Sequence, residues 1–100
     1  MSYRVPVITG SLVEINCLVE KSTTTEEIRS VFKAAAEGSM KGILEYSDLP
    51  LVSSDIIGNP HSCIFDADSA LANDKYIKVV CWYDNEAGYS NRLAELTSRI

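Results

Sequence analysis

The stretch YIKVVCWYDNEAGYSNR, at positions 76–92, decides the fold of this 100-residue chain. Between 77 and 83, apolar side chains alternate between two faces with the period of two that is typical of a strand. Polar residues follow, and either Asp84 or Asn85 is predicted to cap a helix. The apolar stripe of that helix recurs at helical spacing, at Tyr89, Leu93, Leu96 and Ile100. The stretch therefore predicts a strand, a polar corner and a C-terminal helix, and such a corner is a plausible ligand site.

A second strand is predicted from Leu12 to Glu20, because apolar and polar residues alternate strictly there. The apolar positions are Val13, Ile15, Cys17 and Val19. This pattern is typical of a strand that packs one face against a core and leaves the other in water. We therefore expect the strand to be half-buried, with Cys17 acting as a small apolar residue.

A helix is predicted where three threonines precede two glutamates. Thr23 with Glu26, or Thr24 with Glu27, fits the capping box that begins many helices. The following apolar residues have helical spacing and are expected to be buried: Ile28, Val31, Phe32, Ala35 and Ala36. Gly38 is predicted to end the helix in the left-handed conformation.

The rest of the chain predicts short elements joined by turns. The segment 3–8 is extended, and its proline keeps it from being a central strand. Short strands are expected at 43–46, 51–53 and 61–67, with a loop over 55–60 and an irregular connection over 70–74. The predicted fold class is α+β, with one domain over 1–100: a mixed, largely antiparallel sheet covered by the mid-chain helix, with a C-terminal helix.

Composition and charge exclude several classes of protein. A hydrophobic content of 46% is too high for a disordered segment, and a net charge of −5 with scattered basic residues argues against a nucleic-acid or anionic-membrane partner. No apolar run is long enough to cross a membrane. Three widely spaced cysteines predict neither a disulfide framework nor a metal site. We expect a cytoplasmic protein.

The C-terminal stretch carries a family resemblance. The residues WYDNE at 82–86 and GYSNR at 88–92 resemble the C-terminal signature of phosphorylating glyceraldehyde-3-phosphate dehydrogenase. Further blocks follow that family's order and spacing: RVP at 4–6, AAEG at 35–38, KGIL at 41–44, VSSD at 52–55 and FD at 65–66. The resemblance is to the C-terminal part of the catalytic domain only. It implies that the nucleotide-binding domain is absent from these residues, which contain no G-x-G-x-x-G fingerprint.

The resemblance implies a function for the intact enzyme. That family oxidises glyceraldehyde 3-phosphate to 1,3-bisphosphoglycerate in glycolysis, through a cysteine thiohemiacetal, with NAD and phosphate. Its members usually form homotetramers. By resemblance, no residue here is catalytic, since His61 and Cys63 match neither the family's base nor its nucleophile. The isolated chain is therefore predicted to be inactive.

Two residues are the principal site candidates. Without the resemblance, Arg4 would be interpreted as a surface arginine, although its planar guanidinium can bind phosphate through two hydrogen bonds. By resemblance it matches the arginine that binds a phosphate group in the active site. Asn85 alone would be a cap or turn residue, but its amide offers both a donor and an acceptor. By resemblance it holds the nicotinamide carboxamide of NAD.

Three further residues match positions around the nicotinamide site, namely Tyr83, Glu86 and Tyr89. Packing and corner capping are equally good interpretations of each. Ala87 departs from the family, which usually has a bulky aromatic residue there, so looser packing beside Asn85 is expected.

Two alternatives remain open at the level of sequence. The chain could belong to a relative that acts on erythrose 4-phosphate. It could also be a stand-alone folding or interaction module that self-associates, because a helix stripe without a partner favours association. If the chain is a fragment of either dehydrogenase, its expected partner is the missing N-terminal portion of that enzyme. If it is a stand-alone module, the expected partner is another copy of itself.

Overall fold

The computed structural model describes residues 1–100, which form a five-stranded sheet with two helices. The strands are β1 (Ser11–Leu18), β2 (Leu44–Ser47), β3 (Cys63–Asp66), β4 (Leu71–Asn73) and β5 (Tyr76–Tyr83). The helices are α1 (Thr25–Glu37) and α2 (Ala87–Ser98), with a short 3-10 helix at Ser53–Asp55. The α+β prediction is confirmed. No helix is both long and apolar enough to cross a bilayer.

The sheet is organised around β5. The strand order is β1-β5-β3-β2, and β4 also pairs with β5. Only β2 and β3 are parallel, while β5 is antiparallel to each of its three neighbours. The sheet is therefore mixed and mostly antiparallel, as the alternation in β1 and β5 predicts.

Helix α1 covers one face of the sheet and completes the core. Its N-cap is Thr24, whose side chain accepts a hydrogen bond from the Glu27 N–H at 3.2 Å. Phe32 stacks on the fully buried Phe65, with ring centroids 4.2 Å apart. The other buried residues of this cluster are Leu44, Ala67, Ala70, Val79 and Cys81. Of the helix stripe that was expected to be buried, Val31 faces solvent, and the other four residues are half-buried against this core: Ile28, Phe32, Ala35 and Ala36.

The predicted half-burial of β1 is wrong. Seven of its eight residues are exposed, Cys17 among them. The strand itself is correct, and it pairs with β5 without interruption from Ser11 opposite Tyr83 to Leu18 opposite Tyr76. Because α1 packs over β2 and β4, it leaves β1 uncovered within residues 1–100.

Three smaller predictions also fail. Gly38 ends α1 with φ −113, so it is not left-handed, and Gly42 has the positive φ instead. The strand expected over 51–53 is replaced by the 3-10 helix, because the Asp55 carboxylate accepts the Val52 N–H at 2.9 Å and favours a turn. The connection expected over 70–74 contains β4, which forms a tight hairpin with β5 through Asp74 at φ 55.

Helix α2 is mostly exposed. Of its twelve residues only Gly88 is buried. The predicted apolar stripe is present but exposed, from 52% at Leu93 to 100% at Ile100. The helix is therefore held at its first turn, where the chain leaves the sheet, and its remaining turns extend into solvent.

Candidate functional site

The corner between β5 and α2 is held by Asp84. Its Oδ2 accepts a hydrogen bond from the Gly58 N–H at 2.9 Å. Its Oδ1 accepts from the N–H groups of Ala87 at 2.8 Å and Glu86 at 2.9 Å. These three bonds, that from Gly58 foremost, lower the pKa of the Asp84 carboxyl below its ordinary value. Asp84 is therefore the residue that caps the corner and ties it to the loop over 55–60.

Asn85 does not cap the helix, because its side chain turns toward the start of β1. Its Oδ1 accepts from the Gly10 N–H at 2.9 Å, the Ser11 hydroxyl at 3.1 Å and the Thr9 hydroxyl at 3.3 Å. The Gly10 N–H can only donate, so the oxygen end of the amide must lie there. The Nδ2 group has no partner within the chain. Asn85 thus presents a fixed, free amide donor.

Beside Asn85 lies an open depression of about 330 Å³. It is lined by Ser62, Tyr83, Asp84, Asn85, Tyr89 and Arg92. The structure therefore brings together three of the residues predicted from sequence, namely Tyr83, Asn85 and Tyr89. Glu86 is not among them, because it is exposed and contributes its backbone N–H to the corner.

Arg92 is the residue of this depression that sequence reasoning missed. Its Nη1 donates to the Ser62 hydroxyl at 3.2 Å, while Nε and Nη2 donate to the Glu95 carboxylate at 3.0 and 2.8 Å. It stands three residues after Tyr89, so both lie on one face of α2. That spacing is the signal that could have found it. Arg92 brings a guanidinium, paired with Glu95, to a site that also contains the Asp84 carboxylate, the Asn85 amide and two phenol rings.

A glycine sets the position of α2 against the sheet. A Cβ on Gly88 would lie 2.5 Å from the His61 carbonyl oxygen and 3.0 Å from Ser62 Cα. Backbone therefore touches backbone at this point, which only glycine allows. The contact brings Ser62 within reach of Arg92 and closes one side of the depression.

The side chain of residue 87 does little to hold the corner. Ala87 is half-buried and contributes its N–H to Asp84 at 2.8 Å. That bond needs only backbone, so it forms whichever residue stands there.

Arg4 lies apart from this depression. It is on the exposed N-terminal segment, forms no hydrogen bond or ion pair, and does not line the cavity beside Asn85. Its guanidinium is consequently free to meet an anion. The structure of residues 1–100 alone does not join the two principal site candidates.

Two further groups of titratable side chains lie outside this depression. His61 Nδ1 lies 2.9 Å from Asn59 Oδ1 and 3.1 Å from Glu45 Oε2, and these are its side-chain polar partners. Cys63 instead meets Cys81 on the neighbouring strand, and this hydrogen bond lowers the pKa of Cys63 to about 7. The same bond, with burial, raises the pKa of Cys81. No group of three or more metal-ligating side chains is present.

Comparison with known proteins identifies the family. Residues 1–85 match the family model described as glyceraldehyde 3-phosphate dehydrogenase, C-terminal domain. The chain is 52% identical over 97 residues to the glyceraldehyde-3-phosphate dehydrogenases of Mycobacterium avium and Mycolicibacterium smegmatis, and 50% identical to that of Mycobacterium tuberculosis. These alignments cover 97% of this chain but only 28–29% of the relatives. The chain therefore belongs to the glyceraldehyde-3-phosphate dehydrogenase family and corresponds to the C-terminal part of such an enzyme.

Proposed function

We propose that this chain is the C-terminal part of the catalytic domain of a phosphorylating glyceraldehyde-3-phosphate dehydrogenase. The intact enzyme would oxidise glyceraldehyde 3-phosphate to 1,3-bisphosphoglycerate with NAD and inorganic phosphate. The observation that carries the proposal is the 52% identity that runs through 97 of the 100 residues. An alignment of that extent spans the corner after β5 as well as the core.

Asn85 is the proposed contact to the cofactor. NAD, when bound, accepts the hydride. The free Nδ2 donor of Asn85 fits the carboxamide oxygen of a nicotinamide, and its Oδ1 bonds to residues 9–11 hold that donor in one orientation. Tyr83 and Tyr89 line the same depression and offer apolar faces beside a planar ring. Glu86 supports the corner through its backbone.

Arg4 is the proposed contact to phosphate. Its guanidinium has no carboxylate partner within the chain, whereas Arg29 and Arg92 are both paired with glutamates. An arginine that forms no ion pair keeps its full set of donors for a phosphate oxygen pair. In the proposed enzyme, Arg4 meets substrate only when the rest of the catalytic domain is in place.

The proposed partner is the N-terminal portion of the enzyme. The chain spans less than a third of its relatives' length, so the nucleophile, the base and the dinucleotide-binding domain are assigned to the remainder. On this proposal the isolated chain does not turn over substrate and does not bind NAD alone. A homotetramer in the cytoplasm is the proposed assembly, and its unpaired cysteines suit a reducing compartment.

The two alternatives are less well supported. The relatives at 52% identity are named glyceraldehyde-3-phosphate dehydrogenases, which favours that substrate over erythrose 4-phosphate. The extent of identity with a metabolic enzyme likewise favours a fragment over a stand-alone interaction module.

Reconstitution tests the proposal. The chain would be mixed with a polypeptide that carries the remaining N-terminal part of the Mycobacterium avium relative. NADH formation would then be followed with aldehyde, NAD and phosphate. We expect turnover from the mixture and none from either piece. Failure of a folded, associated mixture to produce NADH would refute the proposal.

A pair of asparagine variants tests the role of the amide. In the reconstituted enzyme, Asn85→Ala should raise the Kd for NAD by roughly 2- to 12-fold, the value of one hydrogen bond. Asn91→Ala is the matched control, because Asn91 is an exposed amide of α2 that bonds only to the Ala87 carbonyl. Equal NAD affinities in the two variants would show that Asn85 does not contact the cofactor.

A further inference from the structure

Two cysteines are neighbours across the centre of the sheet. Strands β3 and β5 are antiparallel, with Ile64 opposite Trp82 and Phe65 opposite Cys81. Cys63 stands two residues before Phe65, and side chains two residues apart on a strand point to the same face. Cys63 and Cys81 are therefore diagonal neighbours on one face of the sheet, the face that α1 covers.

The two thiols differ in exposure and interact directly. Cys81 is buried in the hydrophobic cluster, and Cys63 packs against that cluster while staying half-exposed. A hydrogen bond from the Cys81 thiol lowers the pKa of Cys63 to about 7 and raises the pKa of Cys81. This contact is made by β3 and β5 themselves, so it does not depend on residues outside this chain.

We propose that Cys63 and Cys81 form a reversible intramolecular disulfide when the chain meets a low-molecular-weight disulfide such as oxidised glutathione. Cys63 is the attacking thiol, because it is the more exposed of the two, and Cys81 is the resolving thiol. The third cysteine, Cys17, lies on exposed β1 opposite Ile77 and takes no part. This modification site does not depend on the roles proposed for Arg4 and Asn85.

The disulfide forms through two thiol–disulfide exchanges. The Cys63 thiolate attacks one sulfur of oxidised glutathione, whose S–S bond breaks, and one reduced glutathione leaves. The Cys81 thiol then gives up its proton, its sulfur attacks Cys63 Sγ, and the second glutathione leaves in reduced form. The two thiols of the chain lose two electrons and two protons, and the oxidised glutathione gains them.

The first exchange favours the second. The largest cause of the raised pKa of Cys81 is its hydrogen bond to Cys63, and the charge of Cys63 adds to it. Both causes end once Cys63 Sγ belongs to a neutral disulfide. Burial and the Asp66 carboxylate still act on Cys81, so the second exchange should be the slower one.

The register makes this disulfide easy to reduce. Diagonal neighbours on antiparallel strands have Cβ atoms further apart than the roughly 3.5–4.5 Å of a relaxed disulfide. Cys63 can move toward β5, because it lies before the two residue pairs that join β3 to β5. Strained disulfides are the labile ones. The bond should therefore form in oxidised glutathione and reopen when reduced glutathione is in excess.

Peptide mapping tests the pairing. Trypsin, which cleaves after lysine and arginine, leaves each cysteine on its own peptide: 5–21, 42–75 and 79–92. The folded chain would be held in oxidised glutathione near the Cys63 pKa of about 7, blocked with N-ethylmaleimide and digested without reductant. Mass spectrometry should show 42–75 linked to 79–92, and excess reduced glutathione should separate them. A lasting glutathione adduct on Cys63 with 79–92 unlinked, or linkage through 5–21, would overturn the proposal.

Alanine variants separate the roles of the three cysteines. Cys17→Ala is the matched control and should still form the linked peptides, whereas Cys63→Ala and Cys81→Ala should not. In Cys81→Ala, the first exchange at Cys63 should be roughly 5- to 8-fold slower near pH 7. The thiolate fraction falls about 50-fold as the pKa returns to 9.0, and the greater nucleophilicity of the more basic thiolate offsets part of that loss.

Two results from these variants would overturn the proposal. One is an unchanged Cys63 rate in a folded Cys81→Ala variant, and the other is failure of Cys17→Ala to give the linked peptides. Circular dichroism checks the fold of each variant. The mapping of the unsubstituted chain and of Cys17→Ala decides the pairing even if Cys81→Ala does not fold.

Discussion

Gly88→Ala tests the position of helix α2 most directly. The added Cβ would lie 2.5 Å from the His61 carbonyl oxygen, 3.0 Å from Ser62 Cα and 3.2 Å from the His61 carbonyl carbon. All three are backbone atoms, so no flexible side chain can move aside. Ordinary contact begins near 3.4 Å, and the helix must therefore retreat by about 0.9 Å.

Two effects of this substitution oppose one another. Alanine in place of glycine within a helix stabilises by up to about 1 kcal/mol. Gly88 is the second residue of α2, where that gain is smaller than in a helix interior. Overpacking of a tight contact costs about 1–3 kcal/mol. The cost of overpacking should exceed the gain in helix propensity, so Gly88→Ala should lower the free energy of unfolding by about 1–2 kcal/mol. That is a substantial part of the roughly 5–15 kcal/mol that is usual for a protein domain.

Urea denaturation provides the measurement, with Trp82 as the single fluorescent probe. Ser90→Ala is the matched control, because Ser90 is exposed two residues further along the same helix. It should change stability by no more than about 0.5 kcal/mol. A Gly88→Ala variant that is as stable as Ser90→Ala, or more stable than the unsubstituted chain, would refute the close approach of α2 to residues 61–62.

Three further predictions concern the core, the corner and the cysteine pair. Phe65→Ala should lower the free energy of unfolding by about 3–5 kcal/mol, because Phe65 is fully buried, and a loss below 1 kcal/mol in urea denaturation would contradict its central place. The pKa of Asp84 is lowered in the fold, so the unfolded chain binds more protons near the ordinary pKa of 3.8. The ionised Asp84 carboxylate therefore stabilises the fold above that pH, and this stabilisation is lost as the pH falls through the folded pKa. In urea denaturation, the free energy of unfolding of Asp84→Asn should fall less steeply with decreasing pH. Iodoacetamide should alkylate Cys63 with a midpoint near pH 7, and Cys81→Ala should move that midpoint up toward 9.0, as measured by peptide mass spectrometry. An unchanged midpoint would show that Cys81 does not stabilise the Cys63 thiolate.

Elements with a strong local pattern could be predicted from sequence. Both eight-residue strands and both helices follow from periodicity, because the spacing of apolar side chains is set by the backbone of each element. The Thr24 cap likewise depends on groups only three residues apart. The family resemblance rests on short blocks of identity and needs no structure at all.

Elements without such a pattern could not be predicted from sequence. The strand expected over 51–53 competes with a side-chain bond from Asp55, and β4 forms only because Asp74 takes a positive φ next to β5. The burial of β1 also lies beyond local pattern. Alternation shows which residues share a face, but the position of α1 decides whether that face is covered.

The sequence by itself determined the family and the α+β class, and it is the source of the proposals that Arg4 binds phosphate and that Asn85 binds nicotinamide. Tertiary structure alone decided which end of the Asn85 amide is free. Its oxygen accepts hydrogen bonds from residues 9–11, which are far from Asn85 in the sequence. It also decided that Asp84 caps the corner, that Arg92 joins the depression, and that β1 is left uncovered within residues 1–100. These features depend on contacts between distant segments, and the periodicity of neighbouring residues carries no information about such contacts.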